Sequence, residues 1–524
     1  MRSGTPSLGS HTSHISHSAP ASDPAVGGLV SLPVSTRLGR LAAVAAVVLG
    51  LLGGELVLAG TATAASPAAV VQAKQPGPAK QKAAQQKAAQ KKVARQKAAQ
   101  KRAARAAKAA RAAAVRKAAA ARKLAQERAW TPHDATYFNY PLARRAADRF
   151  RIRNQVLAAV KASPAGSEIR LSTFTFIDAT ITEALVAAHR RGVSVQVVVN
   201  RYQAKKSKPF RTLSKALNKR PRGTVVTPDT SFVSTCRGSC RGSAGNQHTK
   251  IYLFSQVGHA GFVSMIASAN LTRFAAVGQW NHLDVTVGRA TYTRLRGVFE
   301  QMTLDAPSPF TTFVTKKLTA WVFPRPGTTP ANDPVAADLN RISCVGPAPR
   351  VTKTQARRIK AMPKAKQVAR SKAVAARRTA QRTSIRISMY AWHGDRGVAL
   401  AKLIRQRADQ GCDVRIIYSF ASKQVMRVLR AKGHGHGPIP MRRSTTSRGG
   451  KVADYSHSKY VAVSGTWNNT RGQQVWTGSM NFTALGFVSD DIVARYPGPR
   501  TYTSYLANFN RVWAAKSSTR PARA

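Results

Sequence analysis

The chain has 524 residues, 43% of them hydrophobic, which is enough apolar material for more than one domain or for one large two-lobed domain and excludes a wholly disordered protein. Its 84 Lys and Arg against 20 Asp and Glu leave a formal charge of +64, which excludes a cationic partner and points to a polyanion: nucleic acid, anionic lipid or cell-wall polymer. Four cysteines, an even count, fit an exported chain with disulfides.

Residues 1–65 read as an export signal region. Arg37 and Arg40 precede an apolar stretch from Leu41 to Leu52, and Thr61-Ala62-Thr63-Ala64-Ala65 offers a small-residue cleavage site. Glu55 interrupts the apolar run and the polar segment before it is long, so a retained membrane anchor is the alternative. No later stretch is apolar for long enough to span a bilayer. The expected location is secreted or cell-envelope associated.

Residues 66–130 are a low-complexity stretch of Lys, Arg, Gln and Ala. A pentad recurs, Gln81-Lys82-Ala83-Ala84-Gln85 and Gln86-Lys87-Ala88-Ala89-Gln90, and places cations at Lys82, Lys87, Lys92, Lys97 and Arg102. A five-residue step advances about 140° round a helix, so the charge spirals and no apolar stripe forms. The expectation is a solvated, partly helical stalk that engages an anionic surface or polymer; a plain spacer is the alternative.

The remainder is an internal repeat, read as two lobes over 131–310 and 311–524. Ile169-Arg170-Leu171-Ser172-Thr173-Phe174 predicts a strand, Ile181 to Arg191 a helix closed by Gly192, and Val193 to Val199 a second strand. The order recurs with Ile385 to Tyr390, a helix over Val398 to Gln410, Gly411, and Val414 to Tyr418. Tyr137-Phe138-Asn139-Tyr140-Pro141 matches Trp321-Val322-Phe323-Pro324. Strand–helix–strand order predicts an α/β fold of two similar lobes, each a mixed sheet flanked by helices, related by a pseudo-two-fold. A basic segment over 350–386, broken by Pro363, stands where the second lobe's opening helix belongs.

Each lobe carries the same signature. His248-Thr249-Lys250 is followed by an apolar strand, Ser255, and the turn Ala267-Ser268-Ala269-Asn270; His457-Ser458-Lys459 is followed by an apolar strand, Ser464, and the turn Gly478-Ser479-Met480-Asn481. Residues i and i+2 of a strand share a face, so each His points with its Lys. Two imidazoles and two ammonium groups around one cavity suit a phosphodiester. One His attacks phosphorus and the other protonates the leaving oxygen, while Lys250, Lys459, Asn270 and Asn481 hold the non-bridging oxygens. No metal or other cofactor is called for, because the lysines supply the positive charge. Asp284 and Asp491 open apolar strands after the two turns and are expected to orient the imidazoles, with Asp490 a rival to Asp491.

These residues resemble the phospholipase D superfamily, whose motif is His-x-Lys, four residues, Asp, then a Gly-Ser/Gly-x-Asn turn, present twice in two-lobed members. The resemblance covers roughly residues 133 to 515. The motif Asp is replaced by Ser255 and Ser464, and the first glycine of the first turn by Ala267; Ser255, Ser464, Ser268 and Ser479 are expected to support the site. The resemblance implies a phosphohistidine mechanism with His248 as nucleophile.

Cys236 and Cys240 lie four apart in a Gly/Ser-rich loop, leaving Cys344 and Cys412 to each other; disulfides fit an exported chain better than a metal site does. The loop His434-Gly435-His436-Gly437 reads as a mobile segment rather than a metal site. The expected function is hydrolysis of phospholipid headgroups by an exported enzyme. A nuclease using the same site and a non-catalytic polyanion-binding envelope protein are the alternatives. The expected partners are a phospholipid or other phosphodiester substrate, with nucleic acid as the second substrate class.

Overall fold

A computed structural model describes residues 77–205, 207–217, 230–349, 351–433, 437–449 and 451–520. The export signal expected over 1–65 and the His434-Gly435-His436 loop lie outside the described residues. The chain divides into two units, Met1–Val93 and Ala94–Ala524. The helix Pro78–Ala129 runs for 52 residues, nearly all of them Ala, Gln, Lys and Arg, which are strong helix formers. Every described side chain on it is exposed, as the spiralling pentad requires.

The unit Ala94–Ala524 carries two sheets. The first comprises β1 (Ala135–Phe138), β2 (Glu168–Thr173), β3 (Ser194–Asn200), β4 (Phe232–Cys236), β5 (Ile251–Val257), β6 (Ala260–Ala267) and, after β7 (Gln279–Trp280) has left for the other sheet, β8 (His282–Val287). Its order is β1-β8-β6-β5-β2-β3-β4. The second sheet adds β9 (Thr311–Val314), β10 (Thr319–Val322), β11 (Ile342–Ser343), β12 (Ser384–Trp392), β13 (Asp413–Ala421), β14 (Met441–Arg448), β15 (Lys451–Ser456), β16 (Lys459–Trp467), β17 (Thr470–Gly478), β18 (Ile492–Pro497) and β19 (Ser518–Thr519). Its main path is β7-β15-β14-β13-β12-β16-β17-β18-β10-β9.

The repeat is plain in the pairing. β2 and β3 are parallel with β5 antiparallel to β2, and β12, β13 and β16 repeat this arrangement. β1 closes on β8 as β10 closes on β18. Between β2 and β3 the helix Ala179–Arg190 is capped by Asp178, whose carboxylate accepts from Ile181 N at 3.1 Å; Gly192 follows it at φ 86°. Between β12 and β13 the helix Gly394–Asp409 is followed by Gly411 at φ 92°, the left-handed conformation that favours glycine.

Each lobe's closing helix packs into the interface between lobes. Leu295, Val298, Phe299 and Met302 of the helix Arg289–Leu304 share a core with Val322, Ile492 and Ala494 of the second lobe. Tyr505, Phe509 and Val512 of the helix Pro499–Ala514 share one with Phe138 and Trp280 of the first. Each such apolar side chain contributes about 1.5–3 kcal/mol when fully buried, so the lobes are held as one body with the starts of β5 and β16 facing each other.

Both expected disulfides are present, Cys236–Cys240 and Cys344–Cys412. The basic segment forms two helices, Lys353–Lys360 and Lys364–Ala380, with Pro363 between them. They do not serve as a lobe-opening helix. The helix Arg151–Ala162 buries Ile152, Val156, Ala159, Val160 and Ala162, whereas neither basic helix buries any side chain. Among the described residues, no helix is long and apolar enough to cross a membrane.

Candidate active site

His248 and Lys250 sit at the start of β5, His457 and Lys459 at the start of β16, and the pseudo-two-fold brings the two pairs together between the lobes. His248 Nδ1 donates to Asp491 Oδ1 at 2.8 Å, across the interface. His457 Nδ1 makes the mirror contact to Asn281 Oδ1 at 3.0 Å. Both contacts hold the proton on Nδ1 and leave Nε2 for chemistry.

The two orienting groups are themselves held alike. Ser479 Oγ donates to Asp491 Oδ1 at 2.6 Å and accepts from Ile492 N. Ser268 Oγ donates to Asn281 Oδ1 at 2.8 Å and accepts from His282 N. Asn281 Nδ2 donates to Ala275 O, which sets the amide so that its oxygen faces His457. Asn281 is thus the counterpart of Asp491, and the pair breaks the symmetry: one imidazole has a carboxylate behind it and the other a neutral carboxamide.

Asp284, expected to orient His248, does not touch an imidazole. Its carboxyl accepts from Thr136 Oγ1 at 2.8 Å and Tyr505 OH at 2.7 Å, and burial pushes it up to about 7. The spacing carries the correction: Asn281 lies 13 residues beyond Ser268 and Asp491 lies 12 beyond Ser479, while Asp284 falls three residues later, farther along β8.

The lysines are buried, Lys250 fully and Lys459 at 2% exposure. Each ammonium donates to the carbonyl of the His two residues before it. Each also lies over a ring, Lys250 5.6 Å from Phe174 and Lys459 4.7 Å from Tyr390. Burial lowers Lys250 to about 7, against the pull of Asp491. Burial and the Lys250 charge push Lys459 well below the ordinary lysine range. Burial and the lysine charges lower both imidazoles, His457 far more, because Asp491 counteracts them only at His248.

The turns that carry Asn270 and Asn481 are tied to the ends of β2 and β12 by equivalent bridges, Phe176 to Leu271 and Trp392 to Phe482. The Oδ1 atoms of both asparagines are buried without a hydrogen-bond partner. Ser255 sits toward the far end of β5 and Ser464 within β16, each five residues beyond its lysine. Ser255 Oγ accepts from Glu168 N at 2.8 Å, and Ser464 pairs with Ser384. Ser255 lies five residues beyond Lys250, about 17 Å along an extended strand, so it acts on the sheet and not on a substrate.

Sequence reasoning missed the aromatic wall. Phe174 stands 5.4 Å from His248 and Tyr390 4.6 Å from His457, centroid to centroid; Tyr455 stacks on Tyr390 at 5.2 Å, and Phe420 lies 5.4 Å from Tyr390. Phe174 and Tyr390 close matching predicted strands, which was the available signal. His248 keeps 17% of its side chain exposed and His457 is 5% exposed, so the carboxylate-backed imidazole is the more open. Among the described residues, no group of three or more His, Cys, Asp or Glu is placed to hold a metal ion.

Among solved structures, the chain is similar to polyphosphate kinase from Porphyromonas gingivalis, at 13% identity over 73% of this chain and 50% of that one, with a TM-score of 0.45. It therefore spans half that protein's length. It is also similar to yeast tyrosyl-DNA phosphodiesterase (10% identity, 69% and 90% covered, TM-score 0.35) and to Nuc from Salmonella typhimurium, a phospholipase D family member (18% identity, 32% and 94% covered, TM-score 0.24). No curated protein sequence matches it. The sequence profile of the family described as "Cardiolipin synthase, PLD-like domain" matches twice, over residues 160–303 and 376–513, once in each half of the repeat. With both lobes matched and more than half of its length covered, the chain belongs to this phospholipase D-like family.

Proposed function

We propose that this chain is an exported phosphodiesterase that works through a phosphohistidine on His248. The observation that carries the reading is the 2.8 Å contact between His248 and Asp491, set against the neutral Asn281 behind His457. His248 Nε2 attacks phosphorus, and the positive charge that develops on its ring is stabilised by Asp491. The bond from phosphorus to the leaving oxygen breaks, and His457 gives that oxygen its proton. His457 gives this proton as the imidazolium, a form that burial and the lysine charges disfavour and that a bound phosphate anion favours; without a carboxylate behind it that imidazolium is the stronger acid of the two. Water then loses a proton to His457 and attacks phosphorus, and the phosphorus–nitrogen bond breaks. Lys250 and Lys459 face the non-bridging oxygens, with Asn270 and Asn481 as further holders.

The first substrate reading is a phospholipid headgroup ester, with transfer to an alcohol in place of water as a variant; the family description, which names cardiolipin synthase, supports a lipid phosphodiester. The second reading is nucleic acid. It is favoured by the two largely exposed basic helices over 353–380, which lie in a stretch without one acidic residue between Asp338 and Asp395, and by the ring cluster beside His457, which offers stacking surfaces. Two disulfides support export, the basic stretch up to about residue 130 supplies a cationic tether to an anionic surface or polymer, and the catalytic lobes follow it. The test is an assay of the purified protein on phosphatidylcholine, phosphatidylglycerol and single-stranded DNA in the presence of a chelator. Release of headgroup supports the lipid reading and cleavage of DNA the nuclease. Binding without hydrolysis of any of them would leave the polyanion-binding envelope protein.

A further inference from the structure

A loop of the first lobe grips the strand of the second lobe that carries Asp491. The loop starts where β4 ends at Cys236, is closed by the Cys236–Cys240 disulfide, and leads into His248. Cys240 N donates to the Asp490 carboxylate, which is fully buried. The backbones are joined on both sides of Gln247: Asp490 N donates to Asn246 O at 2.9 Å, and His248 N donates to Asp490 O at 3.0 Å. Asn246 N donates to Ser489 Oγ at 3.1 Å. Gly245, at φ 74°, lies so close to Val488 O that no Cβ fits.

The loop is itself stapled. Arg241 is fully buried and donates to Gln301 Oε1 at 2.9 Å in its own lobe and to Phe323 O at 3.0 Å in the other. Gln247 N donates to Gly238 O at 2.7 Å, and Ser239 N to Ala244 O at 3.2 Å. The other half-site lacks this device. There Ser456 pairs with Trp280, the residue in the place of Asp490, and the pairing strand is held by the β14–β15 hairpin, with neither a carboxylate nor a disulfide at the contact.

We propose that Asp490 is a positioning residue: the loop closed by Cys236–Cys240 holds its carboxylate and so fixes the next residue, Asp491, against His248. Only its kinetic consequence rests on the phosphodiesterase reading. Burial pushes the Asp490 carboxyl up to about 7, against the Cys240 N–H, Arg241 and Ser239, so the site demands an acceptor rather than a surface charge. The disulfide matters here because it shapes the turn that presents Cys240 N.

The experiment follows the imidazole of His248 by NMR in the full-length protein labelled with 15N at histidine. The Nδ1–H signal and the titration midpoint of His248 are compared in the wild type, Asp490→Ala, Asp490→Asn and the double variant Cys236→Ala/Cys240→Ala. Cys344→Ala/Cys412→Ala is the control. In the wild type the Nδ1 proton resonates downfield and exchanges slowly. In Asp490→Ala and in Cys236→Ala/Cys240→Ala it broadens, and the midpoint moves to lower pH, because contact with Asp491 is what holds His248 up. Asp490→Asn, which keeps the volume and folds where Ala fails, keeps one acceptor oxygen for Cys240 N but loses the charge and puts an amide donor in place of the second oxygen, and shifts the midpoint part of the way. On bis(p-nitrophenyl) phosphate, kcat falls about tenfold or more with KM little changed. The control loses Tm but leaves the His248 signals in place. An unchanged His248 signal and midpoint in Asp490→Ala, or in Asp490→Asn should Ala not fold, together with the Cys236/Cys240 variant, would overturn the proposal. A wild type that turns over no diester, yet shows the coupled shifts, would sink the phosphodiesterase reading alone.

Discussion

His248 Nδ1 and Asp491 Oδ1 are 2.8 Å apart although 243 residues separate them, and each comes from a different lobe. The reactive imidazole of one half is therefore set by the carboxylate of the other. Asp491→Asn should cut kcat by about 10²–10⁴, since an amide holds the ring but does not stabilise its charge. Asp284→Asn should leave turnover near the wild-type value, because Asp284 faces Thr136 and Tyr505. Steady-state rates of the two variants on one soluble diester decide this.

Asn281→Asp would place a carboxylate behind His457 as well. It should raise the His457 pKa, because a nearby negative charge favours the imidazolium, so that the proton donor stays charged to higher pH. The alkaline limb of kcat against pH should move upward, with Tm little changed. A pH–rate profile that keeps its alkaline limb would show that His457 is not the acid.

Lys250 fixes a second pH dependence. Its pKa is lowered to about 7 by burial, so its charge is lost as pH rises through 7 and KM for an anionic diester should climb there. Stability moves the other way. Between about 7 and the ordinary lysine value of 10.5 the unfolded chain binds the proton and the folded chain does not, so unfolding free energy rises with pH across that window. Lys250→Met should raise Tm at neutral pH while abolishing turnover. Calorimetry at pH 6.5 and 9 tests the sign.

About eighteen Lys and Arg between Lys74 and Arg128 give the basic stretch its charge, and every described side chain of the long helix is exposed. Deleting residues 65–128 should leave kcat on a small soluble diester unchanged. Affinity for anionic vesicles or DNA should drop most at low salt, and the slope of log affinity against log salt should become shallower. Loss of activity on the small diester would make the stretch part of the catalytic fold.

The strands, helices and both halves of the site were legible because each motif is written twice; period-2 runs, Gly192 and Gly411 mark the same elements in both lobes. The partners of the histidines were not. A sequence read lobe by lobe gives each His an acid from its own lobe, whereas the pseudo-two-fold exchanges them. Asn281 carries no such signal, because a neutral amide stands where its counterpart in the other lobe is a carboxylate. The basic segment takes the sequence place of a core helix, but its two helices, Lys353–Lys360 and Lys364–Ala380, are dense in cations and bury no side chain. In the sequence Asp490 reads only as a rival to Asp491, because its contact with the disulfide loop joins residues 250 positions apart.

The most direct test is to trap the covalent intermediate. His457→Ala retains the nucleophile but lacks the group that activates water, so a diester with a good leaving group should phosphorylate it and stall. Mass spectrometry of the acid-labile, base-stable adduct should place phosphorus on His248, and His248→Ala should form none. An adduct on His457 in the wild type, or full turnover by His248→Ala, would contradict the account.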